Sequence, residues 1–319
     1  MEVLPKAVAF ALIFWAICSR PPTPTTLKIA AIDIGSNAIR LQVSRILEYQ
    51  GVTTFKKLEY VRFPLRLGQD VFDQGNISDQ KQEQFVKLMH AYRLLLDLYE
   101  VEGYLAYATS AMREAANGDD LARLVRQEVG IDIEIIDGEK EAAFINQAVI
   151  RQLDQKPYLH IDVGGGSTEL TYIEGGEKRA SRSFPIGSVR RLGHHDAPEV
   201  WQEMQAWIVA KVSHLKGHLH AVGTGGNINK IFDLASKKPG KVLGREKILA
   251  LRNWLDATPM EERLNRLRLN PDRADVIVPA TDIYLQVMKW AKARGIVVPD
   301  VGLKDGMLYH LHERHISKV

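Results

Sequence analysis

The sequence predicts an α/β protein in two units that face each other across a cleft, on three observations. At 319 residues the chain exceeds one average hydrophobic core, and its length points to about two domains. From Lys28 onward short apolar strands alternate with amphipathic helices. Residues 30–37 (AAIDIGSN) and 160–167 (HIDVGGGS) also repeat each other in kind. Each is an apolar strand with an aspartate near its end, then a glycine–hydroxyl turn, then a second strand.

Taken in order, residues 27–34 (LKIAAIDI) form a near-continuous apolar strand ending at Gly35-Ser36-Asn37, and 39–47 resume as a second strand. A helix is predicted over 78–101, where Phe85, Leu88, Met89, Tyr92, Leu95, Leu96 and Tyr99 recur at helical spacing and Ser78 or Asp79 caps the start. Residues 105–109 read as a short strand. Asp119 or Asp120 caps a helix to Val129 that Gly130 ends. Residues 131–136 alternate as an edge-like strand, 139–150 form a helix, and 159–163 form a strand running into Gly164-Gly165-Gly166-Ser167. Residues 170–174 and 178–184 make a hairpin across Gly175-Gly176. The helix over 199–216 turns Val200, Met204, Trp207, Ile208 and Val212 to a core, and Ala221-Val222 enters a turn at 223–226 that opens a further helix.

A hydrophobic fraction of 45% and a charged fraction of 25% are those of a soluble globular chain and exclude disorder over most of the length. A net charge of +3 is too small for a dedicated nucleic-acid binder and compatible with a small acidic substrate. The single cysteine, Cys18, excludes an internal disulfide framework and a cysteine-based zinc site, and fits a reducing compartment. Residues 7–18 (AVAFALIFWAIC) are an unbroken apolar run, too short for a bilayer-spanning helix but suited to a signal-peptide core. The leading MEVLPK is scarcely basic, and Trp15-Ala16-Ile17 suits lipoprotein processing poorly. A signal, an anchor, a loose tail and a start nearer Leu27 all stay open.

A turn such as 164–167 lets successive backbone N–H groups converge into an anion site, because glycine leaves the approach open. The plainer reading is a tight hairpin. Here Asp162 and Glu169 flank the turn, and a hard divalent cation commonly bridges one or two carboxylates to substrate phosphates. Asp33-Ile34-Gly35-Ser36-Asn37 is a shorter version of the same idea. The turn Gly223-Thr224-Gly225-Gly226-Asn227 at a helix N-terminus is a third anion-facing candidate.

Eight segments in order, IAAIDIGSNAIRL, ATSAMREAANG, IIDGEKEA, HIDVGGGSTEL, FPIGSVR, AVGTGGN, RADVIVPA and VPDVGLKDGML, cover the chain from Lys28 onward. Together they resemble the exopolyphosphatase/guanosine pentaphosphate phosphohydrolase (Ppx/GppA) family in its short form. The resemblance implies two ribonuclease-H-like domains flanking a cleft, the fold of actin, sugar kinases and heat-shock ATPases. It implies a first domain over 28–140, a second over 141–302, and a helix over 303–319 returning to the first, after a tail over 1–27. It makes Glu141 the catalytic base, and Arg113 a phosphate ligand whose plainer role is a salt bridge to Glu114 or Glu141. Lys140 departs from the family's paired acids, which leaves Glu139 in reserve. The same matching gives Asp162, Glu169 and Asp33 to Mg²⁺ or Mn²⁺, and Gly35, Ser36, Asn37, Gly164, Gly165, Gly166, Ser167 and Gly225 to phosphates.

The expected activity is metal-dependent hydrolysis of terminal phosphoanhydride bonds of inorganic polyphosphate, releasing orthophosphate. The alternatives are 5′-phosphate removal from guanosine pentaphosphate, a small-molecule kinase of the same superfamily, and a phosphate- or alarmone-binding regulator without turnover. The resemblance further implies a cytoplasmic homodimer with no nucleic-acid partner and no stable membrane association. His310, His312 and His315 read as a solvated tail, His194-His195 as loop, and Lys237-Lys238-Pro239-Gly240-Lys241 with Arg245 and Lys247 as surface charge.

Overall fold

The computed structural model describes residues 27–50, 52–215, 219–236 and 241–316. The apolar run at 7–18, Cys18 and Lys237-Lys238-Pro239-Gly240 lie outside the described residues. Two sheets organise the chain. The first holds β1 (Lys28–Ile34), β2 (Ile39–Tyr49), β3 (Val52–Phe63), β4 (Gly103–Ala108) and β5 (Glu134–Ile135) in the order β3-β2-β1-β4-β5. The second holds β6 (Tyr158–Val163), β7 (Thr168–Glu174), β8 (Glu177–Phe184), β9 (His220–Thr224), β10 (Leu243–Gly244) and β11 (Gly295–Val297) in the order β10-β11-β9-β6-β7-β8. Each is an antiparallel meander of three strands continued on its first strand by a parallel neighbour, β4 beside β1 and β9 beside β6. The repeat in the sequence is therefore a repeat of topology, with β1 and β6 in equivalent places.

In the first half, the helices are α1 (Leu67–Gln74), α2 (Asp79–Leu98), α3 (Ser110–Glu114) and α4 (Gly118–Val129). Gly130 ends α4 in the left-handed region at φ 72, as its type predicts. The start of α4 differs from expectation. Asn117 occupies the cap position, with its side chain committed to the Ile77 backbone at 2.8 and 2.9 Å, and Asp119 and Asp120 lie in the first turn. Ser78 does precede α2, yet its hydroxyl donates to Asp70 rather than capping the helix. The strand expected over 131–136 contracts to Glu134–Ile135, because Ile131 and Ile133 are drawn into the core instead of pairing.

Then follow α5 (Gly138–Ile150), α6 (Ser188–Leu192), α7 (Pro198–Val212), α8 (Gly226–Leu234), α9 (Arg245–Ala257), α10 (Met260–Asn265), α11 (Pro271–Ala274), α12 (Ile277–Trp290) and α13 (Leu303–Ile316). α5 straddles the 140/141 position where the domains were expected to part, and α13 packs on α5 and β1. The C-terminal histidines are not a solvated tail. His310 sits edge-on to Phe144 at 5.1 Å, and His312 is buried against Phe55 and 3.2 Å from Glu48. His315 alone of the three is exposed. His194 and His195 do lie in a loop.

Strand alternation decides what faces the middle. Ala30, Ile32 and Ile34 point into the core of the first half, so Ile29, Ala31 and Asp33 point to the opposite face. Leu159, Ile161 and Val163 fill the core of the second half and leave Tyr158, His160 and Asp162 on its inner face. A third cluster joins the halves, with Ile29, Ala31, Tyr107, Phe144, Ile145, Ile173, Val222 and Met307 drawn from both sheets, α5 and α13. Asp33 and Asp162 thus end their strands on the two surfaces that look at each other. Among the described residues no helix is long and apolar enough to cross a membrane.

Candidate active site

Both glycine turns are held from behind. Gly68 and Arg66 donate their backbone N–H groups to the carbonyls of Ser36 (2.8 Å) and Asn37 (3.1 Å). The carbonyl of Gly164 accepts from Ser188 N (2.9 Å), that of Gly165 from Val189 N (2.8 Å), and that of Gly166 from Arg190 Nε (2.9 Å). A peptide's C=O and N–H point in opposite directions, so anchoring these carbonyls on α6 turns the loop's amides forward. The turns touch: a Cβ on Gly165 would come 3.0 Å from Ser36 Cβ and 3.1 Å from Asn37 N, and one on Gly166 would strike Phe72 and Ser110 at 2.5 Å. Glycine is required there by close approach. Between them opens a cavity of about 260 Å³.

Glu141 projects from the first turn of α5, where the Asp137 side chain caps the helix by accepting from Lys140 N at 2.7 Å. It is 9% exposed, and its Oε2 is buried without a hydrogen-bond partner among the described residues. Glu169, 1% exposed, accepts on Oε1 from Ser167 Oγ (2.7 Å) and Ser183 Oγ (2.8 Å), and its Oε2 is likewise buried and unpartnered. Asp162 accepts from Thr224 Oγ1, and Asp33 pairs with Arg40 at 2.7 Å. Burial, then the charges of Glu169, Asp162 and Asp33, push the Glu141 carboxyl well above the ordinary range, with Arg113 opposing. Burial and Asp162 raise Glu169 to about 7 against the pull of Ser167, Ser183 and Arg113, and burial raises Asp162. These are acids gathered in excess of their cations.

The same cavity also carries basic side chains. Arg40, Arg62, Arg273, Lys230 and Lys304 line the cavity with Tyr60. Asp33, Arg40 and Arg62 stand opposite one another on β1, β2 and β3 and form one rung of the sheet. Among the described residues no carboxylate pairs with the Arg273 side chain. Burial, then the neighbouring charges of Arg62 and Arg40, lower its pKa.

Ten of the expected residues line the cavity: Asp33, Gly35, Ser36, Asn37, Glu141, Asp162, Gly164, Gly165, Ser167 and Gly225. Three stand outside its wall. Glu169 lies behind Ser167, Gly166 packs on Phe72 and Ser110, and Arg113 is exposed with Nη1 donating to the Ile136 carbonyl at 2.7 Å. Neither expected salt bridge of Arg113 forms; Glu114 instead holds Arg190 through both oxygens at 2.7 Å. Among the described residues no three His, Cys, Asp or Glu side chains converge closely enough to chelate a metal alone. The donor set nonetheless fits a hard cation held partly by substrate oxygens and water, because two buried carboxylate oxygens lack partners beside two further aspartates. Sequence reasoning missed the arginine wall. Arg40 and Arg62 alternate with apolar residues on strands and look like ordinary solvent-facing charges until register places them over Asp33.

Glu169 yields a pH test. Its folded pKa is raised, so protonation favours the fold. The stabilisation is complete below the ordinary value of 4.5 and is lost as pH rises through about 7. Glutamine at 169 removes that loss, so the metal-free variant at pH 8 gains about 3 kcal/mol over the parent, at roughly 1.4 kcal/mol per pKa unit. The difference closes near pH 4 and narrows when a divalent cation is added. Urea denaturation at both pH values checks it; equal stabilities at pH 8 sink it.

A sequence profile of the Ppx/GppA phosphatase family matches residues 46–315. A Fusobacterium nucleatum protein named bifunctional 3-dehydroquinate synthase/phosphatase is 36% identical over 169 residues, half of this chain and 25% of that protein's length. A Haemophilus influenzae relative is 26% identical over 301 residues, 90% of this chain and 92% of the relative. The crystal structure of the Aquifex aeolicus member of the family superposes with a TM-score of 0.71 at 28% identity, covering 91% of this chain and 98% of that one. With two matching sheets around a cleft, the fold is that of the actin-like ATPases. The chain belongs to the Ppx/GppA phosphatase family and is a phosphatase, a hydrolase.

Proposed function

We propose that this phosphatase removes terminal phosphates from inorganic polyphosphate, releasing orthophosphate, with Mg²⁺ or Mn²⁺ bound. The observation that carries the reading is the pair of buried oxygens without partners among the described residues, Glu141 Oε2 and Glu169 Oε2, beside two touching turns that line the cavity. The terminal phosphoryl group rests on the backbone N–H groups of Gly165 and Ser167 and on the hydroxyl of Ser36. Glu141 Oε2 accepts the proton of the attacking water, for which its raised pKa suits it. Asp33, Asp162 and Glu169 would hold the cation, whose charge would offset that developing on the phosphoryl oxygens. The rest of the chain of phosphates runs along Arg40, Arg62 and Arg273, where guanidinium groups take two oxygens each.

The experiment is orthophosphate release from short polyphosphate, long polyphosphate and guanosine pentaphosphate, side by side, with Mg²⁺, with Mn²⁺ and with chelator. Release from polyphosphate that chelator abolishes is expected. Faster turnover of guanosine pentaphosphate would transfer the assignment to that substrate, and release undiminished by chelator would remove the metal.

A further inference from the structure

We propose that Asp272 sets which phosphate chains the cavity accepts, its carboxylate standing in for a substrate phosphate on Arg62 and Asn37 until a chain long enough to reach them displaces it. The proposal rests on reading the cavity as a phosphate site. Asp272 lies on α11, in the second half, and is 3% exposed. It reaches across the cleft to the first half. Arg62 donates to both carboxylate oxygens, and Asn37 Nδ2 donates to the Asp272 main-chain oxygen (2.9 Å) and, at 3.4 Å, to its carboxylate. Both donors line the cavity. A carboxylate has therefore taken two groups that face the substrate path.

The sheet register measures how far along that path it stands. Asp33, Arg40 and Arg62 occupy adjacent strands on one rung, so the Arg62 backbone stands two strand spacings, about 10 Å, from that of Asp33 at the catalytic end. A single orthophosphate seated at the Gly164–Ser167 turn does not bridge that distance. The phosphates that follow it in a chain do.

The seam is also poorly satisfied as it stands. Among the described residues, Asn37 Oδ1 and Arg62 Nε are buried without partners, as are Arg66 Nε and Asp275 Oδ1 of the adjoining ion pair. Arg40, Arg62 and Arg273 crowd one another, and Asp33 and Asp272 offer them one carboxylate fewer than they have charges. A chain phosphate brings more oxygens and more charge than Asp272, and three guanidinium groups can share it. Terminal orthophosphate, which meets the undisplaced carboxylate, leaves.

The test is the affinity of orthophosphate, tripolyphosphate and long polyphosphate, measured by calorimetry in the Glu141→Gln background so that turnover does not deplete the ligand. In that protein the affinity must jump once the chain reaches Arg62; a smooth rise with chain length overturns the proposal without any further variant. Asp272→Asn, which keeps the main-chain oxygen for Asn37, is expected to tighten tripolyphosphate at least fivefold and to shrink its disadvantage against long chains. Arg62→Gln is expected to weaken long chains about tenfold. A merely structural clasp would move both variants the same way, so opposite signs support the proposal and like signs, or no change in Asp272→Asn, overturn it. Phosphate release by the parent is assayed separately: its absence sinks the hydrolase reading and leaves the binding comparison standing.

Discussion

Glutamine at position 141 lowers kcat on polyphosphate by roughly 10²- to 10⁴-fold, the usual worth of a positioned general base, and changes KM by less than about threefold. The substitution keeps the size and planar shape of the side chain and removes only the basic oxygen. The surroundings of Glu141 make the loss specific. Its Oε2 has no partner to lose, so no other hydrogen bond is broken, and burial beside Glu169, Asp162 and Asp33 means that losing the charge relieves the metal-free fold. The variant is thus expected to be at least as stable as the parent while nearly inactive. Because activity needs the ionised carboxylate and its pKa is raised, kcat in the parent climbs with pH above the ordinary glutamate range before levelling. Steady-state kinetics from pH 5 to 9, with a thermal denaturation of each protein, check both halves. A glutamine variant with parental kcat would hand the base role to another group, and Glu139, exposed and outside the cavity lining, is placed poorly to take it.

What the sequence made legible follows from how local each signal is. The two turns could be read because glycine and serine at the end of an apolar strand carry a backbone geometry in their side chains, or lack of them. The residues of both turns that were expected at the site, Gly166 apart, line one cavity for that reason. The helix of Glu141 could be read from Asp137 and the apolar residues behind it, and its start lies one residue before the expected one. The arginine wall could not, since the partner that gives Arg62 its meaning, Asp272, lies 210 residues away on a four-residue helix without an amphipathic pattern. The three short helices α1, α3 and α6 escaped for the same reason, although they fix the turns: each is too brief to show a period. Tertiary packing also overrode the C-terminal histidines, whose spacing reads as tail while Phe55 and Phe144 hold two of them.

Alanine at Gly306 is expected to destabilise the protein by about 3 kcal/mol, the upper part of the range for overpacking a tight contact, and to lower kcat with it. α13 crosses α5 at this glycine so closely that an added Cβ would lie 1.9 Å from the Phe144 carbonyl oxygen and 2.4 Å from its carbon. Those are backbone atoms, so no side chain can swing aside, and one helix must move. The contact belongs to the cluster that joins the two halves, with Met307 and Leu308 packed beside it. Phe144 follows Glu141 by one helical turn, so pushing α5 back withdraws the base from the cavity by the same motion. The stability loss and the kcat loss therefore share one cause, and a compensating change at Phe144 leaves both in place because the clash is with its main chain. Gly103, with open space around its Cβ position, supplies the control: alanine there is expected to leave stability within about 0.5 kcal/mol of the parent. Urea denaturation and turnover of the two variants decide it. A Gly306→Ala protein as stable as the Gly103→Ala protein would mean that α13 does not sit on α5 in this way, and the route by which the C-terminal helix holds the catalytic helix in place would be lost.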